Sequence, residues 1–237
     1  CKKETKGMIP SILNEKVDPS QFAYFLNATY FKGNWLKKFK KKDTKKEKFL
    51  KEDGSKVTVD MMSMQETLRG CEVEGLCKSL SMYYGNGGYQ MTILLPEEGV
   101  SLQELRDSLD SELWFDIKEH TGGVEADVKL PSFESEYSLD LKGILEEMGM
   151  RTAFNAGDFS KMTDQFMYID KILHRAKLKL NEDGTEAAAV TAVSIVGYGA
   201  LIHEVPSMTF HANHPFLYVI SEFSTGAIFF IGQYTGN

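Results

Sequence analysis

Residues 171–203 decide the fold, and they read KILHRAKLKLNEDGTEAAAVTAVSIVGYGALIH. Residues 171–180 predict a strand, and the Asn181-Glu182-Asp183-Gly184 sequence that follows is typical of a turn. The rest of the stretch is long, poor in charge and dominated by small or β-branched side chains. A structureless loop of this length is uncommon in a compact domain and is usually functional.

With the two-residue period of a strand, the segment after Gly184 has two different faces. One face is free of charge and carries Thr185, Ala187, Ala189, Thr191, Val193 and Ile195. The opposite face carries the charged Glu186, followed by Ala188, Val190, Ala192, Ser194 and Val196. The segment can therefore serve either as an exposed loop or as a central strand. A plain buried strand, or an alanine-rich helix around residues 186–189, is the alternative on composition alone.

Apolar runs elsewhere predict further strands at residues 22–31, 90–95, 124–130, 216–220 and 227–231. Ser224-Thr225-Gly226 predicts the turn between the last two. The aromatic run at 22–31 is interpreted as buried. Asn27-Ala28-Thr29 is a formal glycosylation sequon inside that run, and burial is again our interpretation of it.

Helices are predicted at two places. Ser101 and Glu104 have the spacing of a capping box, and leucines follow at helical intervals at positions 102, 105, 109 and 113. A second helix is predicted over residues 138–148, with Gly149 at its C-terminal end. Strands mixed with helices, without a regular βαβ repeat, predict an α+β fold.

The composition of the 237 residues is that of an ordinary globular protein, with 42% hydrophobic and 26% charged residues. The net charge of −7 argues against nucleic acid as a partner, and no apolar run is long enough to span a bilayer. Cys1, Cys71 and Cys77 are too few for a disulfide framework or a zinc site. The start at Cys1 is interpreted as the cut or truncated end of a longer chain.

No nucleophile elbow, zinc-protease, phosphate-loop or dinucleotide-binding motif occurs in the sequence. His211 and His214 are three residues apart, but Pro215 follows directly, which argues against a helical metal site. We therefore expect no metal, no cofactor and no enzymatic activity.

Residues 37–51 are rich in lysine, with Asp43 and Glu47 interspersed. This segment can bind a polyanion such as a sulfated sugar. The alternative is a solvated loop or an edge strand whose charges prevent association between sheets.

Several segments together resemble the serpin family of protease inhibitors. In chain order they are NATYFKGNW (27–35), VTVDMMSM (57–64), LPEEG (95–99), KLPSFE (129–134), DLKGILEEMGM (140–150), ILHRAKLKLNEDGTEAAAVTA (172–192) and HPFLYVI (214–220). They occur in the order and spacing of the family, and the resemblance runs from about residue 2 to residue 233.

The resemblance implies one serpin domain over residues 1–237, with three β-sheets, surrounding helices and a reactive-centre loop at residues 182–203. It also implies a suicide-substrate inhibitor of serine proteases, in which loop cleavage and acyl-enzyme formation are followed by insertion of the loop into the central sheet. The favoured target is a chymotrypsin-like or elastase-like serine protease, and a cysteine protease is the alternative. The runner-up is a non-inhibitory serpin with a carrier, chaperone or storage role.

The resemblance also assigns roles to individual residues. The hinge residues are Glu182, Gly184, Thr185, Ala187, Ala188, Ala189 and Thr191. The reactive bond is placed at Tyr198-Gly199, with Leu201-Ile202 as the alternative. Asn27, His174 and Trp35 are expected to control opening of the sheet. Two positions depart from the family pattern: Ser132 stands where relatives carry a lysine that pairs with Glu182, and Val190 is bulkier than usual.

The N-terminal part of a serpin is not among these 237 residues. An N-terminal serpin fragment is therefore a further expected partner. Because the resemblance is to protease inhibitors, we expect a secreted, extracellular or periplasmic location.

Overall fold

The computed structural model describes residues 1–13, 23–185 and 205–236. The predicted sites that lie outside these ranges are Ala187, Ala188, Ala189, Thr191, Tyr198, Gly199, Leu201 and Ile202. The described chain forms two compact units. The first comprises Cys1–Phe31 and Glu134–Leu178, and the second comprises Lys32–Phe133 and Lys179–Asn237. The expectation of a single serpin domain stays a prediction.

Strands and helices are mixed along the chain, which confirms the α+β class. The strands are β1 (Tyr24–Tyr30), β2 (Gly33–Asn34), β3 (Lys45–Leu50), β4 (Lys56–Val73), β5 (Cys77–Tyr84), β6 (Tyr89–Pro96), β7 (Gly122–Pro131), β8 (Phe133–Asp140), β9 (Lys171–Asn181), β10 (Gly184–Thr185), β11 (Ser207–His211), β12 (Phe216–Glu222) and β13 (Ile228–Tyr234). The helices are α1 (Leu102–Ser108), α2 (Ser111–His120), α3 (Lys142–Glu147) and α4 (Thr152–Asn155), with a 3₁₀ turn at Lys41–Asp43. Among the described residues, none of these helices is long and apolar enough to cross a membrane.

In the first unit, β1 and β9 are direct neighbours in a parallel ladder that runs from Tyr24 opposite Lys171 to Tyr30 opposite Lys177. The predicted strand at residues 22–31 is therefore confirmed over Tyr24–Tyr30, but its predicted burial is wrong. Phe25 is 39% exposed and Leu26 is 45% exposed. Asn27 is exposed as well. Successive side chains of a strand point to opposite faces, so the described chain leaves both faces of β1 open at these residues.

In the second unit, eight strands form one sheet in the order β11-β7-β4-β5-β6-β12-β13, and β3 also pairs with β4. The 18-residue strand β4 joins the two halves of this sheet. It pairs with β3 and β7 along its first part and with β5 at its C-terminal end. The resemblance implied three sheets. Over the described residues, the strands form two hydrogen-bonded sheets, one of five strands and one of eight. The number is two because β4 links both halves of the eight-stranded sheet into one.

The first predicted helix is present, but it is shorter than the leucine repeat suggests. Ser101 and Glu104 form the predicted capping box at the start of α1. The chain turns extended at Leu109, and the Asp110 side chain then caps α2 by accepting from the Leu113 N–H. Apolar side chains from both helices pack on the sheet in a core of Cys77, Leu94, Leu102, Leu105, Ile117 and Leu217.

The second predicted helix, at residues 138–148, is wrong at its N-terminus. Residues 138–140 extend strand β8, and the helix begins only at Lys142. The Asp140 carboxylate accepts hydrogen bonds from the backbone N–H groups of Lys142 and Ile172, which favours the extended strand end. Gly149, at φ 103°, ends the helix as predicted.

Candidate functional site

Residues 182–185, which we call the hinge base, form a turn that is held from several sides. The Asn181 side-chain oxygen accepts a hydrogen bond from the Asp183 N–H at 3.0 Å. The carbonyl of Asp183 accepts from the Trp35 N–H at 2.9 Å, and that of Glu182 accepts from the Phe39 N–H at 3.1 Å. The backbone of the turn is therefore fixed by the segment that follows β2.

Gly184 stands where no other residue fits. Its φ of +130° lies in a region that L-residues rarely adopt. An added Cβ would lie 2.3 Å from the Gly33 carbonyl oxygen and 2.6 Å from both the Asn34 Cα and the Trp35 nitrogen. All three neighbours are backbone atoms, so a rotamer change cannot relieve the overlap.

Thr185 is a buried strand residue. It pairs in antiparallel register with Leu180 of β9 and with Gly33 of β2, and its exposed fraction is 0%. Its hydroxyl lies 2.9 Å from the Tyr84 hydroxyl, and Tyr84 stacks on Trp35 with ring centroids 4.3 Å apart. Burial raises the pKa of the Tyr84 hydroxyl, which keeps the phenol neutral. This position is built for a small, uncharged side chain.

The two acidic residues of the hinge base have separate partners. The Glu182 carboxylate accepts a hydrogen bond from the Thr44 hydroxyl at 2.7 Å. Ser132, the residue at the position where the resemblance expects a lysine, donates its backbone N–H to the Asp60 carbonyl. In the described chain the Glu182 carboxylate is therefore held by a neutral hydroxyl, that of Thr44.

The carboxylate of Asp183 lies 3.1 Å from the Lys38 ammonium and 3.4 Å from that of Lys41. The hydrogen bond from Lys38 is the largest of the effects that lower the pKa of this carboxyl. A lowered folded-state pKa means that the ion pair stabilises the fold above the unfolded-state pKa. That stabilisation is lost as the pH falls through the folded-state value.

We expect the Asp183→Asn substitution to cost about 1 kcal/mol or less at pH 7, because exposed ion pairs contribute little. Below about pH 4 the difference from wild type should shrink, since the wild-type carboxylate becomes protonated there as well. Urea unfolding at a series of pH values measures this, with Asp164→Asn as the control at an exposed aspartate. A difference that stays constant down to pH 2 would contradict the assignment.

The three residues predicted to control sheet opening are placed as follows. In the first unit, Asn27 and His174 are opposite one another in the β1–β9 ladder. Asn27 accepts a hydrogen bond from Thr29, and no hydrogen bond joins Asn27 to His174 within the described chain. In the second unit, Trp35 is buried and donates its indole N–H to the Asn181 carbonyl at 3.0 Å, directly at the hinge base. Their roles in sheet opening stay predictions.

Sequence reasoning missed Tyr84, Thr44 and the pairing of Lys38 with Asp183. Tyr84 is 101 residues from its partner Thr185, and Thr44 is 138 residues from Glu182. A single sequence does not indicate which side chains will be partners when they are so far apart along the chain. The lysine-rich segment was interpreted as a surface for polyanions or as a solvated loop or edge strand, and neither interpretation pairs Lys38 with Asp183.

The lysine-rich segment is partly neutralised by carboxylates of the same unit. Lys37 pairs with Glu66 at 2.7 Å, and Lys46 pairs with Asp60 at 2.8 Å. Strand β3 within this segment pairs with β4, which supports the edge-strand alternative. Lys40, Lys42 and Lys45 are exposed.

His211 and His214, the two histidines considered as metal ligands, belong to no group of metal-binding residues in the described chain. His211 Nε2 lies 3.0 Å from the Asp127 carboxylate, and burial lowers the pKa of His214. Within residues 1–13, 23–185 and 205–236, no group of three or more His, Cys, Asp or Glu residues is arranged to hold a metal ion.

Comparison with known proteins adds to this geometry. The family described as Serpin (serine protease inhibitor) matches residues 1–236. Serpin B3 of Homo sapiens is 35% identical, with 98% of this chain and 60% of the relative covered. Leukocyte elastase inhibitor of Homo sapiens is 34% identical, with 99% of this chain and 64% of the relative covered.

Solved structures agree with the sequence relatives. Tengpin, a thermophilic serpin in the native state, matches with a TM-score of 0.85 at 31% identity, over 100% of this chain and 61% of its own. Human thyroxine-binding globulin complexed with thyroxine matches with a TM-score of 0.83 at 25% identity, over 98% of this chain and 60% of its own. The chain thus spans about 60% of the length of such relatives. By family match, sequence identity and fold, the chain belongs to the serpin family.

Proposed function

We propose that the protein is a suicide-substrate inhibitor of serine proteases, with residues 182–203 as its reactive-centre loop. The observation that carries this proposal is Thr185. It is a buried, uncharged residue already paired between β9 and β2, at the point where the predicted loop begins. Relatives named as protease inhibitors, such as leukocyte elastase inhibitor, support the proposal.

The proposed chemistry starts at the Tyr198-Gly199 bond, with Leu201-Ile202 as the alternative. The serine oxygen of the protease attacks the Tyr198 carbonyl carbon, and the bond to the Gly199 nitrogen breaks. The proton of the serine hydroxyl is passed to the Gly199 nitrogen, so Gly199 leaves as a free amine and Tyr198 stays attached to the protease through an ester. A tyrosine before the cut suits a chymotrypsin-like protease. The favoured target is a chymotrypsin-like or elastase-like serine protease, and a cysteine protease is the alternative.

Insertion of the cut loop then has a defined register. Gly184 is opposite Asn181, and Thr185 is opposite Leu180. If this antiparallel register continues along β9, Ala187 comes opposite Leu178, Ala189 opposite Ala176, and Thr191 opposite His174. His174 is the residue that faces Asn27 across the closed β1–β9 ladder. The inserted loop would therefore separate Asn27 from His174, which supports a sheet-opening role for this pair.

The energetics favour insertion only if the uncut fold is strained. The β1–β9 ladder between Tyr24 and Tyr30 must open, and each inserted residue loses roughly 1–2 kcal/mol of conformational freedom. Each new hydrogen bond returns about 0.5–1.5 kcal/mol, and alanine side chains bury little apolar surface. The main driving force must then be strain that cleavage releases. Once the loop inserts, displacement of the protease disturbs its catalytic geometry and deacylation stalls.

A second candidate is a non-inhibitory serpin with a carrier, chaperone or storage role. The observation that favours it is the structural similarity to thyroxine-binding globulin in complex with thyroxine. The two candidates differ in what chymotrypsin does to the intact protein. An inhibitor forms a covalent complex that survives a denaturing gel, whereas a carrier is cut without forming one.

Polyanion binding by residues 37–51 is a further part of the proposal. We expect retention on heparin that weakens with salt and is abolished by the triple substitution Lys40→Glu, Lys42→Glu and Lys45→Glu. These three lysines are exposed. Elution from a heparin column in a salt gradient measures the effect.

The same change in charge at Lys2, Lys3 and Lys6, which are also exposed, is the matched control. Equal loss of retention in both triple variants would indicate a general charge effect and would contradict a site at residues 37–51.

Two further expectations stay predictions. An N-terminal serpin portion is proposed as a structural partner, because relatives extend beyond the part that this chain matches. The secreted, extracellular or periplasmic location is the other expectation, and it rests on the proposed inhibitor function.

A further inference from the structure

A cavity of about 860 Å³ lies in the second unit where strand β4 separates from β5. The two strands pair only from Arg69 opposite Ser81 to Val73 opposite Cys77. Before Arg69, β4 follows β7 instead, while β5 continues to Tyr84. The gap between the diverging strands is framed by Leu36, Leu68, Met82, Tyr83, Gly123 and Phe223. The divergence of two strands therefore opens a cleft that the core does not fill.

The size and lining of this cavity are those of a small-molecule site. Ligand pockets usually have volumes of about 300–1,000 Å³ and are mainly apolar, with a few polar groups that orient the ligand. Aromatic side chains stand on one side, where Tyr83 and Phe223 meet edge to face with ring centroids 5.3 Å apart. Leu68 supplies an aliphatic surface from β4.

The polar end of the cavity is cationic. Arg69 and Phe223 also line a smaller adjoining cavity of about 30 Å³, together with Lys118 and the polar side chains of Gln90 and Thr92. The Arg69 guanidinium lies 6.0 Å from the centre of the Phe223 ring, and it donates one hydrogen bond to the Thr121 carbonyl. A guanidinium has five N–H donors. No carboxylate pairs with Arg69 among the described residues, so its positive charge is available to a ligand.

We propose that this cavity binds a small aromatic carboxylate, with the ring system between Leu68, Tyr83 and Phe223 and the carboxylate on Arg69. Charge complementarity selects the acid over a neutral analogue, because a bidentate guanidinium–carboxylate pair is among the stronger polar contacts. The aromatic walls favour a planar apolar body over an aliphatic one. This site is independent of the inhibitory function proposed above, and its test measures binding directly.

The probe is 1-pyrenebutyrate, and the neutral 1-pyrenebutanol is its matched analogue. Calorimetric titration of the full chain should show that the acid binds about tenfold or more tightly than the alcohol. Arg69→Met should bring the affinity for the acid down to that for the alcohol, and Arg69→Lys should restore part of it. Arg106→Met, on the exposed surface of α1, is the control and should change neither affinity.

A second variant tests the location of the binding site without removing a charge. Gly123 lines the cavity, and a Cβ added there meets no atom within 4 Å. Gly123→Phe should therefore fill the cavity and abolish binding of both probes. Gly122 is equally unobstructed but does not line the cavity, so Gly122→Phe should leave binding intact. Equal affinity of wild type for acid and alcohol, or equal effects of the two glycine variants, would overturn the proposal.

Discussion

Replacing Thr185 with arginine converts the intact protein from an inhibitor of chymotrypsin into a substrate. The side chain of Thr185 is fully buried against Tyr84, so the guanidinium would have to enter a closed part of the sheet. Burying an unpaired charge costs several kcal/mol. If insertion is slowed by about 3 kcal/mol, its rate falls about 100-fold, and hydrolysis of the acyl-enzyme then wins. The measurement is the yield of covalent complex per cleaved molecule.

The neighbouring substitution Glu186→Arg is the matched control. It introduces the same side chain one residue later, on the face that strand alternation directs away from Thr185. We expect this variant to keep its inhibitory activity. Thermal unfolding of both variants separates a failure to insert from a failure to fold. Undiminished complex formation by a folded Thr185→Arg protein would refute the insertion mechanism.

The Gly184→Ala substitution should destabilise the protein by about 3 kcal/mol or more. Two costs add at this residue. The positive φ is unfavourable for alanine by about 1–2 kcal/mol. In addition, the new methyl group would overlap backbone atoms of Gly33, Asn34 and Trp35 at 2.3–2.6 Å. Relief of that overlap requires β2 and the hinge base to move apart. Denaturant unfolding of the purified variant measures the total loss.

The control for Gly184 is Gly54→Ala. Gly54 also has a positive φ, of 79°, but no atom lies within 4 Å of an added Cβ. This variant should therefore lose only the conformational cost of about 1–2 kcal/mol. If both variants lose the same stability, the close packing of Gly184 against β2 contributes nothing, and our description of the hinge base is wrong.

The elements around the hinge could be predicted from the sequence because their signals are local. Strand β9 and the turn at Asn181-Glu182-Asp183-Gly184 follow one another without interruption, and the structure confirms both of them. Thr185 comes next and is buried, as the uncharged face of the segment allowed. The capping box at Ser101 and Glu104 could be predicted for the same reason, since its two side chains are three residues apart.

Boundaries that depend on a distant partner were not predictable. The helix predicted to begin at residue 138 begins at Lys142, because Asp140 hydrogen-bonds the Ile172 N–H and residues 138–140 extend β8. The apolar pattern near Leu139 suits a helix or a strand, and tertiary pairing decides between them. For the same reason, the aromatic residues of β1 predicted a buried strand, although Phe25 and Leu26 are exposed in the described chain.

The side chains that contact the hinge base also could not be predicted from the sequence. The segment between residues 37 and 51 was interpreted as a polyanion surface or as a solvated loop or edge strand, yet it also supplies Lys38 to Asp183 and Thr44 to Glu182. The same lysine run thus holds the base of the proposed reactive loop. Only the folded chain places these pairs together, because their charges and hydroxyls fit many other partners equally well.

The most direct test of the central claim is to mix the intact protein with chymotrypsin and analyse the products on a denaturing gel and by mass spectrometry. We expect a covalent complex that survives denaturation, together with a released C-terminal fragment that begins at Gly199. Release of a fragment beginning at Ile202 would keep the mechanism and move the reactive bond to Leu201. Cleavage within residues 186–204 without any gel-stable complex would contradict the proposal that this serpin traps the protease that cuts it.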